Sequence, residues 1–222
     1  MEYLQKLIPG QFYHIYNRGN NKENIFREKE NYHFFLKRYY SYITPIADTY
    51  AYGLIKNHFH FSVRIKLEEE IRSFIKNLSE SEKYNFKLTE IEKALSTENE
   101  FDYPRPFSNF FNSYSKSFNK KYVRTGSLFE SRFGRSRISS NMKLMHVIYY
   151  IHYNPQWHKF VKDFREWPFT SWHDFYSDKI SIVERQKVIN LFGSKEAFKE
   201  FHEEYEIADF KKIETLVEEI SV

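Results

Sequence analysis

Residues 58–65 alternate strictly between polar and apolar side chains, and no other segment constrains the fold as strongly. In an extended strand, successive side chains point to opposite faces of the sheet. The apolar face of this strand carries Phe59, Phe61, Val63 and Ile65. The polar face carries His58, His60, Ser62 and Arg64. The pattern therefore predicts a strand whose apolar face packs against the hydrophobic core and whose opposite face carries two histidines.

The segments around this strand predict a mixed fold. Further strands are predicted at residues 12–17, 49–55 and 127–138. Helices are predicted at residues 28–43, 68–78, 89–95, 107–123 and 142–152, the last one stopped by Asn154 and Pro155. Two or three small helices are predicted within residues 178–222. This order of elements predicts an α+β sandwich, in which helices pack on a mostly antiparallel sheet.

Composition narrows the class of protein. Aromatic residues make up 20% of the 222 residues, which excludes disorder over most of the chain. No apolar run approaches the roughly 18 residues that a membrane span needs. The chain has no cysteine, which excludes disulfides, cysteine-based zinc sites and a thiol nucleophile. The lack of cysteine and of a signal-peptide pattern fits a cytoplasmic protein without membrane contact.

The net charge of +4 conceals an uneven distribution. Residues 116–137 carry seven Lys or Arg against one Glu, whereas residues 67–104 carry ten acidic residues against five basic ones. The basic segment also contains the rings of Phe118, Tyr122, Phe129 and Phe133. Cations beside stacking surfaces favour binding of nucleic acid. The alternative is an ordinary solvated helix face followed by a strand.

The sequence His58-Phe59-His60 is a candidate metal site. Two residues apart on a strand, the imidazoles point the same way, with Cβ atoms roughly 7 Å apart. Both rings could reach one divalent ion and leave coordination positions open for a substrate oxygen. Two ordinary surface or core histidines are the alternative.

Tyr114 is a candidate covalent nucleophile, because a phenol can attack a metal-polarised phosphate. It would have to lie over the histidine pair. Its helix also carries an aromatic stripe at spacings of three and four, which favours a ring in the core instead. Helical spacing does not distinguish Tyr114 from Tyr122.

Three arginines, Arg132, Arg135 and Arg137, follow on the predicted strand after Gly126. The guanidinium fork suits phosphate groups. A basic edge strand that discourages aggregation is the alternative.

Four motifs in this order resemble the single-tyrosine HUH transposases, and most closely the REP-associated tyrosine transposases. They are Asn17-Arg18-Gly19, AYGLIKNHFHFSVRIK, FSNFFNSYSKSFNKKYVRTGSLFESRF and YIHYNP at 150–155. The resemblance covers roughly residues 11–172, within a domain at 1–177. An acidic helical extension at 178–222 lies beyond that domain.

The resemblance implies a ferredoxin-like or RRM-like two-layer sandwich with the histidine pair on a central strand. It implies that His58, His60 and a third polar ligand bind Mg²⁺ or Mn²⁺, with Asn119 as the nearest polar choice beyond the tyrosine. It implies that Tyr114 attacks single-stranded DNA next to a hairpin and forms a 5′-phosphotyrosine link. The implied DNA contacts are Arg18, Lys116, Lys120, Lys121, Arg124, Arg132, Arg135 and Arg137.

Two functions follow as hypotheses. The first is a metal-dependent DNA strand transferase, acting as a monomer or a homodimer. The second is a domesticated, catalytically inactive module that binds a DNA or RNA hairpin.

Overall fold

The computed structural model describes residues 5–97 and 99–204. Four strands form one antiparallel sheet in the order β2-β3-β1-β4. They are β1 (Phe12–Arg18), β2 (Ala47–Ile55), β3 (His58–Ile65) and β4 (Gly134–Ile138). The prediction of an α+β fold with an antiparallel sheet is confirmed.

The described ranges also contain eight α-helices. They are α1 (Lys29–Ile43), α2 (Glu68–Asn77), α3 (Glu80–Lys83), α4 (Thr89–Leu95), α5 (Pro104–Lys121), α6 (Asn141–Trp157), α7 (Arg185–Phe192) and α8 (Lys195–Glu204). None of these helices is long and apolar enough to cross a membrane. Residues 205–222, the remainder of the predicted C-terminal extension, lie outside the described residues.

Helices α1 and α5 cover the apolar face of the sheet. The ring of Phe35 on α1 lies 5.0 Å from the ring of Phe59 and 4.7 Å from the ring of Phe110 on α5. Tyr39 stacks on Phe61 with ring centroids 4.0 Å apart. Aromatic pairs at such separations stabilise a core beyond the area that they bury. The alternation of residues 58–65 thus selects the face on which this aromatic core forms.

Helix α6 lies on the opposite face of the sheet, over β2 and β3. It approaches β2 closely at Gly53, where a Cβ atom would stand 2.7 Å from the carbonyl oxygen of Ile151. Helices α7 and α8 pack outside α6, so this helix is buried between the sheet and the C-terminal helices. Helices therefore form layers on both faces of the sheet, one layer more than the two-layer sandwich that the resemblance implies.

Two element boundaries differ by five residues or more from those predicted. Helix α6 continues to Trp157 and contains Pro155, because residues 147–155 are buried and their packing outweighs the loss of one backbone hydrogen bond. Strand β4 begins only at Gly134, and Leu128 and Phe129 are buried in the loop that precedes it. That loop is held to the end of β1 by a bridge between Gly19 and Phe129.

Candidate active site

Four histidine rings lie in a row on the polar face of the sheet, each about 5 Å from the next. The ring of His60 lies 5.1 Å from that of His58 and 5.0 Å from that of His14 on β1. The ring of His158, just after α6, lies 5.0 Å from that of His58. The two histidines of the motif therefore share one face, as their spacing predicts, and two further histidines flank them.

Helix α6 and its C-terminal cap supply the rest of the site, because Tyr150, Asn154 and the cap residue His158 are spaced four apart. Residues at this spacing lie on one face of a helix. The Tyr150 ring lies 5.3 Å from the ring of His60 and 5.9 Å from that of His14. The Oδ1 atom of Asn154 lies 3.0 Å from Nε2 of His58. The helix thus brings a phenol and an amide to the histidine pair.

Burial keeps these imidazoles neutral at neutral pH. Desolvation lowers the pKa of His14 to about 3. Desolvation also lowers the pKa of His58 to about 4, against an opposing hydrogen bond to Asn154. The pKa of His60 is lowered well below its usual value by burial and by the neighbouring histidines. Neutral imidazoles keep a lone pair, which is the form that binds a metal ion.

The site has donor atoms that suit a divalent cation. Nε2 of His60 is buried and has no hydrogen-bond partner, while its Nδ1 lies 2.9 Å from Nε2 of His14. Within the described ranges, no group of three or more His, Cys, Asp or Glu side chains is arranged to hold a metal ion. A cation at the histidine pair would therefore need a different third donor, and the amide oxygen of Asn154 is the one beside His58.

Tyr114 lies on the other side of the sheet. Its ring packs 4.8 Å from Phe35 and 6.1 Å from Phe129, within the aromatic core under α1 and α5. It is 1% exposed, and its hydroxyl donates a hydrogen bond of 2.6 Å to the carbonyl of Ile25. Burial raises the pKa of this phenol above its usual value. The arrangement required of a nucleophile, a phenol over the histidine pair, is not met by Tyr114 in this conformation.

Asn119 is also held away from the histidine pair. Its amide nitrogen donates to the carbonyl of Gly126 at 2.9 Å, and its Oδ1 accepts from Arg124 at 3.0 Å. Both contacts close the loop that follows α5. The structure therefore brings neither the predicted nucleophile nor the predicted third ligand to His58 and His60.

The basic residues predicted to bind DNA divide into two sets. Three form ion pairs within the chain: Arg18 with Glu130, Arg124 with Glu23, and Lys121 with Glu28. Among the residues that the structure describes, the other five make no ion pair: Lys116, Lys120, Arg132, Arg135 and Arg137.

Three of the basic residues have a defined position in the fold. Arg137 donates a hydrogen bond to Gln11, and the Arg135 guanidinium lies 5.1 Å from the centre of the Phe133 ring. Arg18 stands opposite His58 in the register of β1 and β3, which places this predicted DNA contact beside the histidine pair.

Sequence reasoning missed Tyr150, Asn154, His158 and His14. The first three belong to or follow the YIHYNP motif, and their spacing of four was visible in the sequence. The sequence predicts a helix that ends at residue 152, before Asn154 and Pro155, so it does not place Asn154 and His158 on one helix face with Tyr150. The position of His14 opposite Ser62 depends on the pairing of β1 with β3, for which its local sequence carries no signal.

Comparison with known proteins identifies the fold. No protein-family model matches the chain, and no curated protein matches it. A solved structure of a REP-associated tyrosine transposase bound to a REP hairpin matches with a TM-score of 0.52 and 17% sequence identity. The match covers 82% of this chain and 89% of that chain. The resemblance expected from the motifs is thus confirmed at the level of the fold.

Proposed function

We propose that this protein is a metal-dependent, single-tyrosine transposase that cleaves and rejoins single-stranded DNA next to a hairpin, with Tyr150 as its nucleophile. The observation that carries the proposal is the position of the Tyr150 ring, 5.3 Å from His60 on the face that holds the histidine pair. The fold shared with a transposase bound to a REP hairpin supports DNA as the substrate.

The residues of the site suit a divalent cation. A buried His60 nitrogen has no partner, the His58 ring lies 5.1 Å from the His60 ring, and the amide oxygen of Asn154 lies 3.0 Å from His58. We propose that His58, His60 and Asn154 hold Mg²⁺ or Mn²⁺, with Asn154 in place of Asn119. Such a cation would supply Lewis-acid polarisation of a phosphate oxygen.

The protein's own residues then perform a phosphoryl transfer. The Tyr150 oxygen attacks the scissile phosphorus, so that the O–P bond to tyrosine forms while the bond from phosphorus to the 3′-oxygen breaks. The phenol loses one proton and the leaving 3′-oxygen gains one, which releases a 3′-hydroxyl. The same hydroxyl can attack the phosphotyrosine bond and restore the strand, so rejoining needs no external energy source. Positioning and charge neutralisation dominate this chemistry. The basic residues after α5 would hold the DNA backbone.

The test is covalent capture of DNA. The purified full chain is incubated with Mn²⁺ and single-stranded hairpin DNA from its own genomic flanks, and denaturing gels report the protein–DNA adduct. We expect Tyr150→Phe to abolish the adduct and Tyr114→Phe, a matched loss of a buried hydroxyl, to keep it. An adduct that survives Tyr150→Phe and disappears in Tyr114→Phe would return the role to Tyr114.

A second candidate is a hairpin-binding module without catalysis. The burial of the site favours it, because Tyr150 and His60 are only 5% and 7% exposed and a phosphate could reach them only after a local movement. Tight binding of the same hairpin without any adduct, in either Mg²⁺ or Mn²⁺, would support the module. An adduct dependent on the metal would support the transposase.

A further inference from the structure

We infer that His14, which lies outside the His58-Phe59-His60 motif, is a positioning residue that fixes the ring nitrogen with which His60 meets a divalent cation. The inference rests on the proposed function. It adds a residue from a different strand to the site and gives that residue a defined role.

The contact between the two rings is short and enclosed. Nε2 of His14 lies 2.9 Å from Nδ1 of His60, and the ring planes are within 17° of parallel. Both side chains are buried, so water does not compete for this contact. One of the two nitrogens must therefore carry the proton that joins them.

Neighbouring residues hold the His14 ring in place. Tyr16 stacks on one side of it with centroids 4.9 Å apart, and Tyr150 meets it edge-on at 5.9 Å. The Tyr16 ring in turn lies against Gly134, where a Cβ atom would stand 2.1 Å from the ring. Because β1 is paired with β3 and with β4, the backbone of His14 is fixed on both sides.

The hydrogen bond has two possible directions, and only one suits a cation. If His14 donates from Nε2, the Nε2 atom of His60 carries a hydrogen and cannot bind a metal ion. If His60 donates from Nδ1, its Nε2 atom presents a lone pair. That Nε2 atom is buried and has no hydrogen-bond partner, so a cation there would satisfy it.

His14 must be neutral to accept this hydrogen bond. The His14 ring is 2% exposed and lies 2.9 Å from a second imidazole, and a ring enclosed in this way is best accommodated in the neutral form. Histidine ligands of metal ions usually donate their second ring N–H to a protein acceptor, and loss of that acceptor weakens binding roughly 10- to 100-fold. Here the acceptor is another imidazole rather than a carboxylate or a carbonyl.

The experiment measures Mn²⁺ binding by calorimetry without DNA, using the full-length wild type, His14→Phe and His14→Gln. Gln can place an amide oxygen near the position of Nε2 and keep the acceptor, whereas Phe keeps the ring volume and removes it. We expect His14→Phe to weaken Mn²⁺ binding roughly 10- to 100-fold and His14→Gln to restore most of it. Circular dichroism and thermal unfolding establish that each variant is folded.

The outcomes separate this inference from the proposed function. Equal Mn²⁺ affinity in wild type and a folded His14→Phe would refute the role of His14 and leave the transposase proposal intact. A wild type that binds neither Mn²⁺ nor Mg²⁺ would refute the metal site and, with it, the inference.

A measurement on the wild type keeps the inference testable if the variants do not fold. Nitrogen-15 NMR of the Mg²⁺-loaded protein distinguishes protonated from unprotonated ring nitrogens. We expect His60 to be protonated at Nδ1 and His14 at its Nδ1. A proton on Nε2 of His60 would overturn the inference.

Discussion

At the scale of single residues, Tyr114 stabilises the fold through its hydroxyl and its packed ring. Its hydroxyl donates to the carbonyl of Ile25, which ties the loop before α1 to α5. We expect Tyr114→Phe to lower the free energy of unfolding by about 1–2 kcal/mol, because a hydrogen bond to a buried carbonyl is lost while the ring packing stays. Urea unfolding followed by circular dichroism measures the change.

A variant on the exposed side of the same helix provides the control. Asn112→Ala changes a solvent-facing residue of α5, so its unfolding free energy should remain within about 0.5 kcal/mol of the wild type. An unchanged stability of Tyr114→Phe would contradict the structural role of the Tyr114 hydroxyl. This measurement is independent of the DNA adduct, so it tests packing alone.

At the scale of elements, the strand with the histidine pair could be predicted, because its alternation assigns each side chain to a face. The side of the sheet on which each helix packs could not be predicted from the sequence. The aromatic stripe of α5 and the YIHYNP segment of α6 both predict helices, but nothing local says which one covers His58 and His60. Tyr114 and Tyr150 therefore could not be told apart by spacing, since the choice depends on the path of the chain around the sheet.

The close approach of α6 to β2 is the contact that sets the position of Tyr150 and Asn154. A Cβ atom at position 53 would stand 2.7 Å from the carbonyl oxygen of Ile151, which is backbone and cannot rotate away. We expect Gly53→Ala to lower the unfolding free energy by about 1–3 kcal/mol, as overpacking does in a core. It should also weaken Mn²⁺ binding, because α6 must move away from the histidine pair.

Unfolding in urea and calorimetry with Mn²⁺ measure the two effects of Gly53→Ala. Ala51→Gly, on the same strand and face, serves as the control, because it removes a methyl group and leaves α6 free to keep its place. A Gly53→Ala protein with wild-type stability and wild-type Mn²⁺ binding would show that α6 tolerates a wider separation from the sheet.

At the scale of the whole molecule, buried histidines lie on both sides of α6. On its outer side, Nδ1 of His152 lies 2.9 Å from Nε2 of His202, and Nδ1 of His202 lies 2.7 Å from the carbonyl of Phe198. The Ser171 hydroxyl lies 2.7 Å from Nε2 of His152. Every ring nitrogen of this pair has a partner when both rings are neutral. This series of hydrogen bonds joins α8, α6 and the segment at Ser171. It requires that both imidazoles stay neutral and do not take up a second proton.

The stability of the molecule should therefore fall steeply as the pH drops. Burial lowers the pKa of His202 to about 3 and that of His152 well below its usual value, so the unfolded chain binds protons near pH 6.5 that the folded chain does not. Each such histidine should reduce the unfolding free energy by about 1.4 kcal/mol per pH unit between pH 6.5 and its folded pKa. Urea unfolding at pH 7, 6 and 5 in the presence of EDTA measures this slope.

His202→Gln should reduce the slope by about one proton, whereas His33→Gln, which removes an exposed imidazole, leaves the buried pair in place. A wild-type unfolding free energy that stays constant from pH 7 to pH 5 would contradict the burial of neutral histidines on either side of α6.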